Sequence, residues 1–233
     1  IPQELTNKIK FSDSTPSEDY SKILNSRKFS EWIKKLNSEF HLLNIKEIFV
    51  KYYKKFSNGD IGFIVSEAKI EREGKTIPGV VFLRGSSCGV LVVLKAKNSN
   101  GHKSYILLTK QPRVPVGESI LEIVAGSVDE NGEIGGTAVK ELEEEAGLKI
   151  GLNDLKNLLE GERLFVSPGG TDEQMSLYVY EKELKEKEIL ALNGRKAGLR
   201  NKGEMIELVV LPLDQEVLKK IRDMKSLLSI SLY

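Results

Sequence analysis

Six short and almost uninterrupted apolar runs constrain the fold of this chain more than any other feature. They are VLVVL at 90–94, YILL at 105–108, ILEIVAG at 120–126, RLFV at 163–166, SLYVY at 176–180 and IELVVL at 206–211. A strand with one wet face alternates apolar and polar side chains, whereas continuous runs suit strands covered on both faces. Helical segments are predicted between and after them, at about 137–146, 152–160 and 214–229. The expected class is therefore α/β, with a mixed sheet held between helices. None of the runs approaches membrane-spanning length.

The first third reads differently. Residues 27–40, RKFSEWIKKLNSEF, place Phe29, Trp32, Ile33, Leu36 and Phe40 at helical spacing. Trp32 on that stripe is expected to pack rather than to stack on a base. Asn58-Gly59 predicts a hairpin turn, and a second tight turn follows near Glu71 to Lys75. Residues 41–85 thus form a small antiparallel β unit, preceded at 1–19 by a polar, loosely held lead-in with Pro2 and Pro16. The predicted division is an N-terminal helix and β unit over 1–85 and a larger domain over 86–233. EKELKEKEIL at 181–190 shows no apolar stripe and is expected to be a solvated, charge-laced stretch.

The chain of 233 residues carries a net charge of only +1, which disfavours a nucleic-acid partner, as does the lack of a basic patch with interleaved aromatics. The single Cys88, at the start of an apolar run, is read as a buried structural thiol in a reducing compartment. A cytoplasmic setting is expected. A plastid-like organelle stays open, because the chain begins at Ile1 without an initiator methionine.

Against that neutral balance, one sign concentrates locally. Between Glu122 and Glu145 stand eight acidic residues (Glu122, Asp129, Glu130, Glu133, Glu141, Glu143, Glu144, Glu145) and one base, Lys140. At about 100° per residue Glu141, Glu144 and Glu145 share one helix face, with Ala138, Val139, Leu142 and Ala146 turned away. Like charges three and four residues apart repel. A cation relieves them, and hard divalent ions such as magnesium favour oxygen ligands.

The segment from Gly126 to Leu148 resembles the signature of the Nudix hydrolases, with KELEEEAGL (140–148) in place of the family's Arg-Glu-apolar-x-Glu-Glu-x-Gly-apolar run. There are two departures. Lys140 replaces the usual arginine and loses a planar fork that could brace Glu144, and the middle glutamate falls one place late, at Glu133. RVPVGESILEIVAG (113–126), FVSPGGTDEQMSLYVY (165–180), GLRNKGEMIELVVL (198–211) and SLLSISLY (226–233) resemble the ADP-sugar diphosphatase branch, most of all its plant-type members. Upstream, KFSEWIKKLNSEF, GFIVSEAKI and IPGVVFLRG extend the likeness to about residue 27.

The resemblance implies a Nudix α/β/α sandwich, preceded by the small antiparallel domain. It implies metal-dependent cleavage of ADP-glucose or ADP-ribose to AMP and a sugar 1-phosphate. Glu141, Glu145 and the carbonyl of Ala125 would bind Mg2+, with Mn2+ as the alternative ion. Arg113 would grip a phosphate, Gly126 would let the chain turn beside the metal loop, and Glu122 would face either the site or an arginine. Glu173, in the Pro168-Gly169-Gly170 loop, would lie near the terminal sugar, and Arg84 near the nucleotide. The loop's backbone N–H groups could approach an anion or sugar. Glu144 or Glu204 would take the proton from the attacking water, Glu204 standing on a loop with Lys202 nearby. The N-terminal unit would form a homodimer. Two other readings stay open: a UDP-sugar or other nucleoside-diphosphate hydrolase, and a catalytically silent nucleotide-binding domain.

Overall fold

A computed structural model describes residues 3–39, 44–56, 58–77, 79–97, 103–128, 133–199 and 204–233. Pro2, Phe40, Asp129, Glu130 and Lys202, which entered the sequence reading, lie outside the described residues. The chain divides into two units, Ile1–Ser86 with Phe165–Gln174, and Ser87–Leu164 with Met175–Tyr233.

In the first unit, helices α1 (Gln3–Thr6), α2 (Tyr20–Asn25) and α3 (Arg27–Glu39) accompany strands β1 (Ile9–Phe11), β2 (Asn44–Lys55), β3 (Ile61–Arg72), β4 (Lys75–Ile77) and β5 (Val80–Leu83). β3 is the hub, antiparallel to β2, β4 and β5. Both turns have a local cause. At the first, the side chain of Asn58 accepts from the Asp60 N–H at 3.1 Å. At the second, Glu73 and Gly74 both take positive φ (52° and 75°), as a two-residue hairpin requires. The apolar stripe of α3 goes inward: Phe29 and Ile33 are buried with Ile23, Ile48, Val50, Ile64 and Leu83. Trp32 packs against this cluster, edge-on to Phe29.

The lead-in corrects one expectation. β1 pairs in parallel with β2, Ile9 opposite Ile48, and Leu5, Thr15 and Asp19 are buried. Asp19 accepts hydrogen bonds from the Tyr53 hydroxyl and from Lys55. Polar composition suggested loose chain, but the segment is tied by pairing to a strand some 40 residues away, which local pattern does not encode.

The second unit is built on β6 (Ser87–Ala96), β7 (Lys103–Arg113), β8 (Glu118–Glu122), β9 (Val124–Ser127) and β10 (Leu155–Asn157). After β11 (Leu164–Phe165) come β12 (Gln174–Leu184), β13 (Lys196–Ala197) and β14 (Ile206–Pro212). The strand order β10-β12-β6-β7-β14-β13 is mixed: β12 runs parallel to β6, while β7 is antiparallel to both β6 and β14. The continuous apolar run of β6 is buried throughout. Cys88, Val90, Val92 and Leu94 join a core with Ala138, Leu142 and Ala146 of the acidic segment. The alternate residues Leu91 and Val93, pointing to the opposite face, are equally buried. Helices α4 (Ile134–Glu141), α5 (Glu186–Leu190) and α7 (Met224–Leu232) pack on this strand. The unit is an α/β sandwich.

Three local expectations change, two of them helical. The predicted helix at 152–160 is a single 3-10 turn (Leu152–Asp154) followed by edge strand β10, antiparallel to β12. Residues 181–184 complete β12 and 186–190 form α5. Glu181 there collects Lys95, Lys156 and the Tyr233 hydroxyl, so cross-strand ion pairs replace the missing apolar stripe. The stretch 214–229 splits into α6 (Val217–Lys220) and α7, because Asp223 caps a new start by accepting from the Ser226 N–H at 3.0 Å.

Candidate active site

The acidic segment folds as α4 running into a widened π turn over Leu142–Ala146, stopped by Gly147 in left-handed geometry (φ 70°). Widened turns of this kind concentrate at functional sites. The turn brings Glu141 and Glu145 against β9. Glu145 is only 6% exposed, and its Oε2 accepts from the Ala125 N–H at 3.4 Å. Glu141 lies so close to the neighbouring residue that a Cβ on Gly126 would stand 1.8 Å from its Oε1. Position 126 is therefore a glycine because a carboxylate occupies the space of its side chain.

The electrostatics of this pair are unfavourable as they stand. Burial pushes the Glu145 carboxyl up to about 8, and the charges of Glu141 and Glu204 add to the rise; the Ala125 N–H and Arg113 only partly offset it. Burial also pushes the Cys88 thiol, opposite Gly126 in the β6–β9 register, up to about 12. Among the described residues, no three carboxylate, imidazole or thiol groups form a set able to enclose a metal ion by themselves. The donors at hand are two carboxylates and the backbone of β9. A buried anion opposed by neighbouring anions is the environment that a hard divalent cation relieves, so these residues fit such an ion.

A second feature adjoins them. Arg113, at the end of β7, donates from Nε to Glu122 Oε1 at 2.6 Å and from Nη2 to Oε2 at 2.9 Å. Glu122 is buried and also accepts from Lys225. Burial alone would raise its carboxyl, but Arg113 and Lys225 outweigh that and hold it below the usual range. Of the two surroundings foreseen for Glu122, the arginine is present, and both carboxylate oxygens are engaged.

Glu144 sits partly exposed, 3.9 Å from Lys140, and its carbonyl accepts from the Gly198 N–H at 3.3 Å. Glu204 Oε2 accepts from the Leu199 N–H at 2.7 Å. Gly198 has φ of 80°, and an added Cβ would press on Glu204 Cβ at 3.1 Å, so the chain passes Glu204 closely there.

Arg84 and Glu173 belong to the first unit, where Arg84 Nε lies 3.5 Å from Glu173 Oε2. Asp172 accepts from the N–H groups of Arg84 (2.8 Å) and Gly85. In the Pro168-Gly169-Gly170 loop, the N–H groups of Gly170 and Thr171 turn back to the Ser167 carbonyl, both at 3.1 Å, as in a tight turn.

Sequence reasoning missed Asp223, Lys225 and Ser226. The available signal was the N-cap pattern of Asp223 three residues before Ser226 and an apolar run, which marks a helix start.

A model of the NUDIX domain matches residues 86–228. The chain belongs to the Nudix family. Over 231 residues, 93% of this chain and 73% of its relative, it is 37% identical to "Nudix hydrolase 14, chloroplastic" of Arabidopsis thaliana. It is 32% identical over 146 residues to the methanol dehydrogenase activator of Bacillus methanolicus, covering 61% of this chain and 70% of that one. A solved structure of an ADP compounds hydrolase shares the fold, with TM-score 0.56 and 16% identity over 82% of this chain and 91% of its own. Nudix hydrolases act on small nucleotide substrates and generally use divalent metals. No helix among the described residues is long and apolar enough to cross a membrane.

Proposed function

We propose that this protein hydrolyses the diphosphate of ADP-sugars such as ADP-glucose and ADP-ribose, with a divalent metal, to AMP and the sugar phosphate. The observation that carries this reading is the buried Glu145 carboxylate, held on the Ala125 N–H beside Glu141 and near the locked guanidinium of Arg113. Mg2+, or Mn2+, would be held by Glu141, Glu145 and the Ala125 carbonyl. When bound, such an ion neutralises diphosphate oxygens and acidifies water.

The remaining work falls to the chain. Arg113 meets the diphosphate with a guanidinium whose plane is fixed by Glu122, so its charge is already oriented before substrate arrives. Water attacks one phosphorus, the bridging P–O bond breaks, and the water's proton passes to the carboxylate of Glu204, or of Glu144. Arg84 is assigned to the nucleotide and Glu173 to the terminal sugar. The N-terminal unit is assigned to a homodimer contact. The fold shared with an ADP compounds hydrolase supports the substrate class, and the chloroplastic relative leaves a plastid compatible with it.

The test is direct. The protein is incubated with ADP-glucose, ADP-ribose and UDP-glucose, with magnesium or with EDTA, and AMP or UMP is followed. Magnesium-dependent AMP from an ADP-sugar is expected. No AMP from either ADP-sugar, or faster release of UMP, would overturn the substrate assignment.

A further inference from the structure

Helix α7 carries a cation in its first turn, Lys225, where the positive end of the helix dipole disfavours one. The helix does not need it for capping, since Asp223 Oδ2 accepts from both the N–H and the hydroxyl of Ser226. Lys225 is instead directed at two acids: it donates to Glu122 Oε2 and, at 2.9 Å, to Asp223 Oδ1. Its side chain is largely buried. Glu122 is in turn the residue that forks onto Arg113. Ser226, fully buried, adds a second tie, its hydroxyl accepting from the Ile123 N–H at 2.8 Å.

The four charges of Arg113, Glu122, Lys225 and Asp223 cancel, and the cancellation sets an orientation. A carboxylate held by one guanidinium can rotate together with it. One also pinned by an ammonium on Oε2, the oxygen that Arg113 Nη2 already contacts, cannot. Charge-assisted hydrogen bonds of this kind are about twice as strong as neutral ones.

We propose that Lys225 is a positioning residue for Arg113, acting through Glu122, so that helix α7 sets the plane of the guanidinium that faces the diphosphate. The role rests on Arg113 being the phosphate cation proposed above. The geometry of the pinned fork, however, can be measured without any substrate.

In the full-length protein, Lys225→Met removes the ammonium at nearly constant volume, and Lys225→Arg restores a cation. Arg113→Ala identifies the Arg113 Nε–H resonance in a 15N spectrum by its loss. Lys225→Met is expected to shift that resonance and speed its exchange with water, and Lys225→Arg to return both toward the original. On ADP-glucose, kcat/KM is expected to fall about tenfold in Lys225→Met, and not to fall further when the substitution is added to Arg113→Ala. An unmoved Nε–H resonance in Lys225→Met overturns the positioning role. Losses that multiply in the double variant do the same, since a purely structural effect would be independent of Arg113. If the unaltered protein turns over no ADP-sugar, the substrate reading falls and the resonance alone decides Lys225.

Discussion

Replacing Gly126 by alanine tests the geometry of the carboxylate pair at its tightest point. The new Cβ would lie 1.8 Å from Glu141 Oε1, 2.1 Å from Cδ and 2.5 Å from Cγ, where ordinary contact begins at 3.4 Å. The Oε1 atom must therefore withdraw by about 1.6 Å, because close-packed atoms do not interpenetrate. Glu141 is only half buried and can swing toward water, so the clash is relieved by the side chain rather than by unfolding. Gly126 has no positive φ, so alanine brings no backbone strain. Relative to glycine in a strand it gains roughly 0.5–1 kcal/mol of chain entropy. Thermal stability should consequently stay within a few degrees of the original. Displacing a positioned group by about 1 Å costs on the order of 100-fold in rate, so turnover should fall by that much and half-saturation by magnesium should move to higher concentration. The assay pairs a thermal melt with initial rates on ADP-glucose across a magnesium series. A well-folded Gly126→Ala protein with unchanged rate and unchanged magnesium dependence would refute the placement of Glu141 at the reacting centre.

Three further outcomes are expected. Because the folded state holds the Glu145 proton more tightly than the unfolded chain (about 8 against 4.5), this group's contribution to the stability of the metal-free protein should be fully present below about pH 4.5 and be lost, on the order of a few kcal/mol, as pH rises through 8. Urea unfolding in EDTA should show that slope, and Glu145→Gln should flatten it; an equal slope in the variant would disprove the assignment. Glu204→Gln retains an acceptor for the Leu199 N–H while removing the charge, so kcat should drop about 100-fold or more with little change in melting temperature if Glu204 is the base. Unchanged kcat would shift that role to Glu144. Cys88, its thiol pushed up to about 12 by burial, should resist iodoacetamide at pH 8 and react once denaturant is added; rapid labelling of the native protein would contradict its placement beneath the site.

Where local pattern and tertiary environment agree, the sequence was a sound guide. The buried runs of β6 and β7 announced strands covered on both faces, whereas β14 alternates buried and open positions; the stripe of α3 announced its packing side. The Glu141 and Glu145 spacing announced a shared face, which the structure turns toward β9. Legibility failed where long-range pairing overrode composition. Ile9–Phe11 is ordered by β2, and Leu155–Asn157 by β12. The charged segment at 181–184 is a strand because Lys95 and Lys156 lie across from Glu181.

By itself, the sequence determined the family, the class of fold and the carboxylates that concentrate charge, since each of these is written in residue type and spacing along one stretch. Only the tertiary structure decided how those charges are held. Gly126 is forced by a carboxylate 15 residues later in the chain, and Arg113 is locked by Glu122 and by Lys225, which lies 103 residues beyond Glu122. The physical reason is that burial changes what a charge costs. Whether a carboxylate is a solvated surface group or an anion in need of a cation depends on what packs around it, and that is set by contacts no local window contains.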